Sequence, residues 1–257
     1  MATLVYVDPS PRGEWALTMA ALLPPEWRSS LLLLATAEDV QAHPELLGHA
    51  RARLGAAGSI GESVLPGPAE RAVVAATQAR SYDLLVVPPA GRGAVTRMLK
   101  GSRVATVVRS VRAPVLVARR PPVRLERILA AVSGGRSTAA VIGMAKKLAE
   151  GLAVEPFFLH VASEVALPSP PESHRGEGTP VDAVRARLAQ AGVPAGHLLV
   201  RDGLVMDEVL EEFERGAHHL LLLGAPAEEA GGSWGREEVT ERILLRCPGS
   251  ALIVPRA

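Results

Sequence analysis

The amino-acid sequence repeats itself once, and this repeat restricts the chain to architectures built from two similar units. The tetrapeptide Arg51–Leu54 recurs as Arg185–Leu188, and an Ala-Gly pair follows each copy at the same distance. From Gly67 and its counterpart Gly203 the two copies keep a constant spacing to their ends. A repeat this long indicates a duplicated domain, because the repeats of solenoids are only about 20–50 residues long. The predicted domains are residues 1–120 and 125–257, with a short, stiff linker at Arg119–Pro122.

Within the first half, short apolar runs alternate with segments of helical periodicity. The runs of strand length are Thr3–Val7, Leu31–Ala35, Ile60–Leu65, Leu84–Val87 and Val115–Ala118. Pro44 and Pro68 mark the starts of two helical segments between them. Strands that are apolar throughout and separated by helices predict a parallel sheet buried on both faces. We therefore predict an α/β fold of two tandem doubly wound domains, each with a five-stranded parallel sheet in the order 3-2-1-4-5 flanked by helices.

Composition excludes several classes of function. The 48% hydrophobic content is that of a protein with a core, and a net charge of +1 argues against nucleic-acid binding, which requires a basic face. A single cysteine, Cys247, excludes an intramolecular disulfide, and we expect it to be a half-buried, inert thiol. No apolar run approaches the ~20 residues that span a bilayer, and no leader sequence is visible. We expect a soluble, cytoplasmic protein that binds neither membranes nor nucleic acid.

Polar and glycine residues follow two strands that a doubly wound sheet places side by side. Asp8 follows strand 1 directly, and a Gly-Arg-Gly run begins at Gly91 after strand 4. After nine intervening residues, the pair Gly101-Ser102 opens a helix. Glycines and free helix N–H groups favour a bound phosphate, and a carboxylate accepts from a base or ribose. An ordinary loop with a Gly-Ser cap, and an Asp that only starts a helix, explain the same residues equally well.

These residues resemble the universal stress proteins, in a tandem form that covers nearly the whole chain twice. That family's pattern is a strand ending in Asp with Ser close behind, a G-x2-G-x9-G-[ST] phosphate loop, a Val-rich helix and a Pro-Val-Leu-Val last strand. The matching segments here are Val7–Ser10, Pro88–Ser102, Val104–Val111 and Pro114–Val117. Pro88 replaces the first loop glycine, and a proline has no N–H to offer, so the start of the loop is expected to be reshaped.

The resemblance implies ATP as the ligand of the first half, with or without Mg²⁺, because some members of the family bind it. It implies that the Asp touches the adenosine end, that Thr36 at the end of strand 2 backs the base, and that the loop holds the phosphates. The candidate binding residues are Val7, Asp8, Thr36, Val87, Pro88, Ala90, Gly91, Gly101, Ser102 and Arg103. It also implies that the last strands pair edge to edge, here Pro114–Ala118 with Ala251–Val254 inside one chain.

The second half departs from this pattern. Ser133 stands where the first half has Asp8, Ala227 replaces the second loop glycine, and Glu237-Glu238 replaces the Gly-Ser pair. Two carboxylates would repel a triphosphate, so we predict that this half has lost ATP binding.

The Ser-Gly-Gly-Arg-Ser-Thr run Ser133–Thr138 resembles the phosphate loop of the ATP pyrophosphatases, with Ser137 where that loop has Asp. It is interpreted either as an anion-binding nest next to Arg136 or, preferably, as a strand-to-helix turn capped by Ser137 or Thr138.

Three functions follow, in order of preference. The first is an ATP-binding stress-response signalling or regulatory module, read by an unidentified protein partner. The second is a nucleotide-free interaction scaffold. The third is an enzyme, either a slow ATPase or a divergent pyrophosphatase-like ligase, although no general base is visible near the loop. The sequence has no G-x4-G-K-[ST] motif, which argues against a P-loop nucleotidase. His218 and His219 should point to opposite faces of a strand, which argues against a shared metal ion.

A homodimer of such two-domain chains stays open at this point.

Overall fold

The computed structural model describes residues 1–55, 57–89, 107–108, 110–135, 137–162, 179–225 and 234–255, the last segment by backbone alone up to 238. The strands are β1 (Ala2–Tyr6), β2 (Ser30–Thr36), β3 (Ser59–Leu65), β4 (Leu84–Val87), β5 (Val115–Val117), β6 (Ile128–Ala131), β7 (Pro156–Ala162), β8 (Leu198–Asp202), β9 (Leu220–Gly224) and β10 (Ser250–Val254). The helices are α1 (Gly13–Ala21), α2 (Ala37–Ala42), α3 (Leu46–Arg53), α4 (Ala69–Ala79), α5 (Thr138–Leu152), α6 (Pro180–Gln190), α7 (Val205–Arg215) and α8 (Trp234–Arg246). None of these helices is long and apolar enough to cross a membrane.

All described strands form one sheet, in the order β3-β2-β1-β4-β5-β10-β9-β6-β7-β8. Each half contributes five parallel strands in the order 3-2-1-4-5, which confirms the predicted fold class. The two halves meet where β5 and β10 run antiparallel, with Leu116 opposite Leu252. The predicted pairing of the last strands within one chain is therefore confirmed.

Both faces of this sheet are covered, because the strands are apolar at successive positions. In β1, Val5 lies in the hydrophobic cluster of one face, and Leu4 and Tyr6 lie in the cluster of the other. The first face packs against α1, α3, α5 and α6, and the second against α4, α7 and α8. Period-two alternation of side chains across a strand produces this division. The core of each half thus continues into the other on both sides of the sheet.

Cys247 lies deeper than the sequence suggests. The side chain is fully buried in the second cluster, not half-buried as predicted, because it lies between the end of α8 and β10. Burial raises the pKa of the Cys247 thiol to about 11, which keeps it neutral at physiological pH. A neutral thiol in an apolar environment is a poor nucleophile, as expected for a packing residue.

A polar clasp closes the seam between the halves. The fully buried Ser250 hydroxyl accepts from the Arg119 backbone N–H at 3.0 Å and donates to the Arg119 carbonyl at 3.1 Å. The Arg119 guanidinium reaches the last turn of α8, where it donates to the carbonyls of Leu244 (3.2 Å) and Cys247. One residue at the end of the first half therefore satisfies backbone groups of the second.

Replacing Ser250 by Ala removes this clasp and leaves both Arg119 backbone groups without their partner. We expect the free energy of unfolding to fall by about 1–3 kcal/mol, the cost of leaving buried polar groups unsatisfied. The measurement is urea unfolding followed by circular dichroism. Ser59→Ala is the matched control, since the exposed Ser59 hydroxyl makes only a 3.4 Å hydrogen bond. Equal losses in the two variants would contradict the role of the clasp.

A buried histidine lies at the start of β9. His218 packs its ring against Phe157 and Phe213, with ring centroids 5.8 and 6.4 Å away. Its Nε2 is 3.7 Å from a Glu212 carboxylate oxygen, and neither ring nitrogen has a hydrogen-bond partner within the part of the chain that the structure describes. Burial lowers the pKa of His218, with a further contribution from the Arg127 charge, while Glu212 opposes the shift.

Because the folded chain disfavours charged His218, the unfolded state binds a proton more readily. Stability should therefore be unaffected well above the unfolded pKa of ~6.5 and should fall as the pH drops through it. We expect His218→Gln to reduce the loss of unfolding free energy between about pH 7.5 and about pH 5.5. Thermal unfolding across this range measures the effect. His43→Gln, at an exposed histidine, should keep the wild-type pH dependence; a similar reduction there would refute the assignment to His218.

Candidate functional site

Five of the residues predicted to bind a nucleotide lie at the carboxyl edge of the first half of the sheet. Val7 extends β1 by donating its N–H to the Leu34 carbonyl at 2.8 Å, and Asp8 follows it. Thr36 is the last residue of β2, and Val87 is the last residue of β4, followed by Pro88. Since β1 pairs with both β2 and β4, these strand ends are neighbours.

The other predicted site residues lie outside the described residues: Ala90, Gly91, Gly101, Ser102 and Arg103. Their contribution to a phosphate loop stays a prediction. The described part of the site thus comprises the ends of β1 and β2 and the end of β4 with Pro88.

Asp8 is a buried carboxylate at the end of β1. Its side-chain Oδ1 accepts the Ser10 backbone N–H at 2.7 Å. Burial raises the pKa of Asp8, partly offset by the hydrogen bonds from Ser10 and reinforced by the nearby Asp39 charge. The residue is 6% exposed, so a carboxylate has been placed where desolvation works against its charge.

Ser10 stabilises the entry into α1, whose N-cap residue is Arg12. The Ser10 hydroxyl accepts the backbone N–H groups of Gly13 (3.2 Å), the first helical residue, and of Arg12 (3.3 Å). The interpretation of Asp8 as a residue that merely starts a helix is therefore incomplete, because its carboxylate also holds the turn through the hydrogen bond from Ser10.

Thr36 is the N-cap of α2 and is bound to a second carboxylate. Its hydroxyl accepts the Asp39 N–H at 3.2 Å and donates to Asp39 Oδ2 at 2.6 Å. The hydroxyl of Tyr6, at the end of β1, donates to the same oxygen at 3.2 Å. Burial raises the pKa of Tyr6 strongly, and the charges of Asp39 and Asp8 add to the effect, so the phenol remains a neutral donor.

Tyr6 and Asp39 are site residues that were not predicted from the sequence. The spacing of Thr36 and Asp39 is that of an N-cap and its third helical residue, which does signal a local hydrogen bond. Nothing in the sequence signals that Tyr6 reaches across from the neighbouring strand. The result is a site wall with two carboxylates, Asp8 and Asp39, which favours ligand groups that donate hydrogen bonds and disfavours phosphates at this end.

Gly13 allows Asp8 to lie where it does. A Cβ atom at Gly13 would lie 2.1 Å from the Asp8 carbonyl oxygen and 3.0 Å from its Oδ1. The first residue of α1 must therefore be glycine for the strand end to fold back over the helix start. This role of Gly13 was not predicted from the sequence, because its position near a helix start does not reveal the contact with Asp8.

The corresponding turn of the second half is held differently. The Arg187 guanidinium of α6 donates to the Gly134 carbonyl at 2.6 Å, and Gly134 has a φ of +80° that favours glycine. Ser137 is the N-cap residue of α5, in line with the preferred interpretation, but its side chain makes no capping hydrogen bond. The buried Thr138 hydroxyl has no hydrogen-bond partner among the described residues. The Ser137 hydroxyl instead packs against Gly224 at the end of β9.

Of the other second-half positions, Arg136 and Ala227 lie outside the described residues, so the anion-nest interpretation stays a prediction. Glu237 and Glu238 lie near the start of α8, where two acidic residues suit the helix dipole. No carboxylate corresponds to Asp8 in this half, because Ser133 follows β6 at that position.

Replacing Gly13 by Ala should displace Asp8 and destabilise the fold. Overpacking against backbone typically costs about 1–3 kcal/mol, and the 2.1 Å approach places this variant at the upper end or beyond. The matched control is Gly48→Ala in α3, where a Cβ has no neighbour within 4 Å. That variant should gain about 0.5–1 kcal/mol from helix propensity. Chemical unfolding of both variants measures the difference, and two changes of the same sign would contradict the argument.

Comparison with known proteins identifies the two halves. The model of the universal stress protein family matches residues 2–119 and again residues 124–255. A search of curated proteins found no match.

Solved structures share the whole architecture. A putative universal stress protein from Pseudomonas aeruginosa UCBPP-PA14 superposes with a TM-score of 0.72 at 19% identity, over 99% of this chain and 93% of that one. A universal stress protein from Archaeoglobus fulgidus DSM 4304 gives 0.70 at 15% identity, over 100% and 96%. The cytoplasmic domain of a prokaryotic cation chloride cotransporter gives 0.55 at 12% identity, over 98% and 94%. The chain belongs to the universal stress protein family and carries the family's domain twice.

Proposed function

We propose that the N-terminal half binds one ATP molecule and that the chain acts as a stress-response signalling or regulatory module whose nucleotide state is read by a protein partner. The adenosine end lies against Asp8 and Thr36, and the phosphates, with Mg²⁺ where it is bound, lie at the loop between β4 and β5. The observation that carries this proposal is the buried Asp8 carboxylate at the carboxyl edge of the sheet, beside the end of β2.

The position of Asp8 supports a ligand that donates hydrogen bonds. In a doubly wound sheet, ligands bind beyond the carboxyl ends of the strands where the winding direction reverses, which here is between β1 and β4. A ribose hydroxyl or a base amino group donates to a carboxylate, and such a bond is worth about 1.5–3 kcal/mol. This gain would offset the desolvation that Asp8 experiences in the free protein.

The negative charges of Asp8 and Asp39 support this orientation of the bound ATP. Asp8 and Asp39 together make the β1–β2 side of the site unfavourable for phosphate groups. The triphosphate would then extend toward the β4 side, where the sequence has Gly91, Gly101 and Ser102. Membership of the family does not by itself identify the ligand. The proposal therefore depends on the contrast between the acidic β1–β2 side of the site and the glycine-containing loop on the β4 side.

The second half should not bind a second ATP. Its strand end offers Ser133 in place of a carboxylate, and the loop glycine that pairs with Gly91 is replaced by Ala227. We therefore expect a stoichiometry of one nucleotide per chain, in a protein whose two domains share a sheet but differ in ligand binding.

Titration calorimetry of Mg²⁺-ATP into nucleotide-free protein tests the proposal. Wild type should bind one ATP per chain, and Asp8→Asn should bind about 10–100-fold more weakly, since an amide replaces a charged acceptor. At 100-fold excess over Kd, ATP should stabilise the wild-type fold by about 2.7 kcal/mol. Asp83→Asn is the control, because Asp83 lies at the opposite edge of the sheet and accepts the Ala2 N–H at 2.8 Å.

Three results would overturn parts of the proposal. Absence of binding at millimolar ATP would favour the nucleotide-free scaffold. Two nucleotides per chain would refute the loss of binding in the second half. Steady ATP turnover that disappears in Asp8→Asn would replace the signalling module with an enzyme.

A further inference from the structure

A groove on the outer surface of the second half has properties of a second ligand site. It lies between α5 and the C-terminal part of α6 and has a volume of about 500 Å³. Its lining includes the apolar or small residues Ile142 and Gly143 and the charged residues Lys146, Lys147, Glu150 and Arg187. This volume falls in the range of small-molecule sites, about 300–1,000 Å³. The groove is made entirely by the second half, on the face of α5 and α6, and is therefore separate from the strand edge that contains Asp8.

The charge of the groove is unbalanced. Three cations face one carboxylate, and no salt bridge links Lys146, Lys147 or Arg187 to a carboxylate of the described residues. Elsewhere in the described part of the chain, Arg51, Arg201 and Arg215 all have carboxylate partners within 4 Å. The concentration of unpaired positive charge is notable in a chain whose net charge is only +1.

Lysine usage points to the same place. The lysines of this chain are Lys100, Lys146 and Lys147, and arginine provides all other cations. Two of them thus stand side by side on the single helix that forms one wall of the groove. A lysine ammonium is a compact charge with three donors, suited to carboxylate and phosphate groups alike.

Each of the three cations is positioned by a contact that occupies only part of its hydrogen-bonding capacity. The Lys146 ammonium donates to the Ala191 carbonyl at the end of α6, and Arg187 donates to the Gly134 carbonyl. The Lys147 ammonium lies 5.3 Å from the centre of the Trp27 ring, which belongs to the first half. Each contact uses one donor or one face of the group, so most N–H donors remain for a ligand. Fixing the cations beforehand lowers the entropy that a ligand would have to offset.

We propose that the α5–α6 groove binds a small organic polyanion, a molecule with two or more carboxylate or phosphate groups on a compact apolar body. The anionic groups lie among Lys146, Lys147 and Arg187, and the apolar part lies on Ile142 and Gly143. This site does not depend on ATP binding in the first half, because it shares no residue with the strand-edge site.

Nuclear magnetic resonance of ¹⁵N-labelled full-length protein tests the groove directly. Citrate and inorganic pyrophosphate are the two probes, titrated at constant ionic strength, and they distinguish a carboxylate from a phosphate ligand. The amide signals of Gly143 and of Gln190 report binding in the groove, whereas the amide of Asp8 reports the first half. We expect saturable shifts of the groove amides with at least one probe.

The decisive variant is Gly143→Glu. A Cβ at Gly143 has no neighbour within 4 Å, so the new side chain fits the fold and places a carboxylate in the groove. We expect it to weaken probe binding at least about tenfold, through repulsion and occupied volume. Gly48→Glu is the matched control, because Gly48 is also a helical glycine with no neighbour within 4 Å, but it lies in α3 of the first half. Lys147→Gln, at an exposed side chain, provides an independent second variant.

The outcomes separate this inference from the proposed function. Saturable shifts that weaken in Gly143→Glu and Lys147→Gln but persist in Gly48→Glu support the groove. Absence of saturable shifts with both probes, or equal weakening in Gly48→Glu, overturns it. Gly143→Glu should bind ATP as tightly as wild type does, and Asp8→Asn should leave citrate binding unchanged. Each proposal can therefore fail while the other one stands.

Discussion

The antiparallel pairing of β5 with β10 is the contact on which the rest of the molecule depends. It converts two five-stranded sheets into one, so the hydrophobic clusters on both faces run through the boundary between the halves. Without it, each half would present an apolar strand with unpaired backbone groups at its edge. The Arg119–Ser250 hydrogen bonds and the guanidinium contacts with α8 complete the seam with buried polar groups that are satisfied only when both halves are in place.

The candidate nucleotide site derives from the same topology. Parallel strands bring Asp8, Thr36 and Val87 to one edge, at the point where the winding reverses between β1 and β4 and where such sheets bind ligands. What differs between the halves is the chemistry at this edge. The first half carries a buried carboxylate, Asp8, next to Gly13, whereas the second carries an exposed Ser133 and a turn held by Arg187. One scaffold thus supports two local arrangements, since loops and strand ends tolerate change that the buried strands do not.

Much of the fold could be predicted from the sequence, because the internal repeat, the apolar runs of strand length and the prolines at helix starts are local or periodic signals. The strand order and the pairing of Pro114–Ala118 with Ala251–Val254 followed from them together with the family resemblance. The contacts of the site were harder. Tyr6 reaches Asp39 only because β1 and β2 are adjacent in a particular register, and Gly13 matters only because Asp8 folds back over it. The α5–α6 groove depends on which faces of two helices meet, which no sequence pattern specified.

The arrangement of the ten-stranded sheet has a further consequence for how copies of this chain meet. Within the described sheet, β3 and β8 are the outermost strands, each paired on one side. Both carry charged residues, Glu62 in β3 and Arg201 with Asp202 in β8. Charges on an outer strand hinder the addition of a further strand, because they would have to be desolvated against it. The duplication therefore protects the chain from open-ended strand addition, by covering its two most apolar edges internally and leaving charged ones outside.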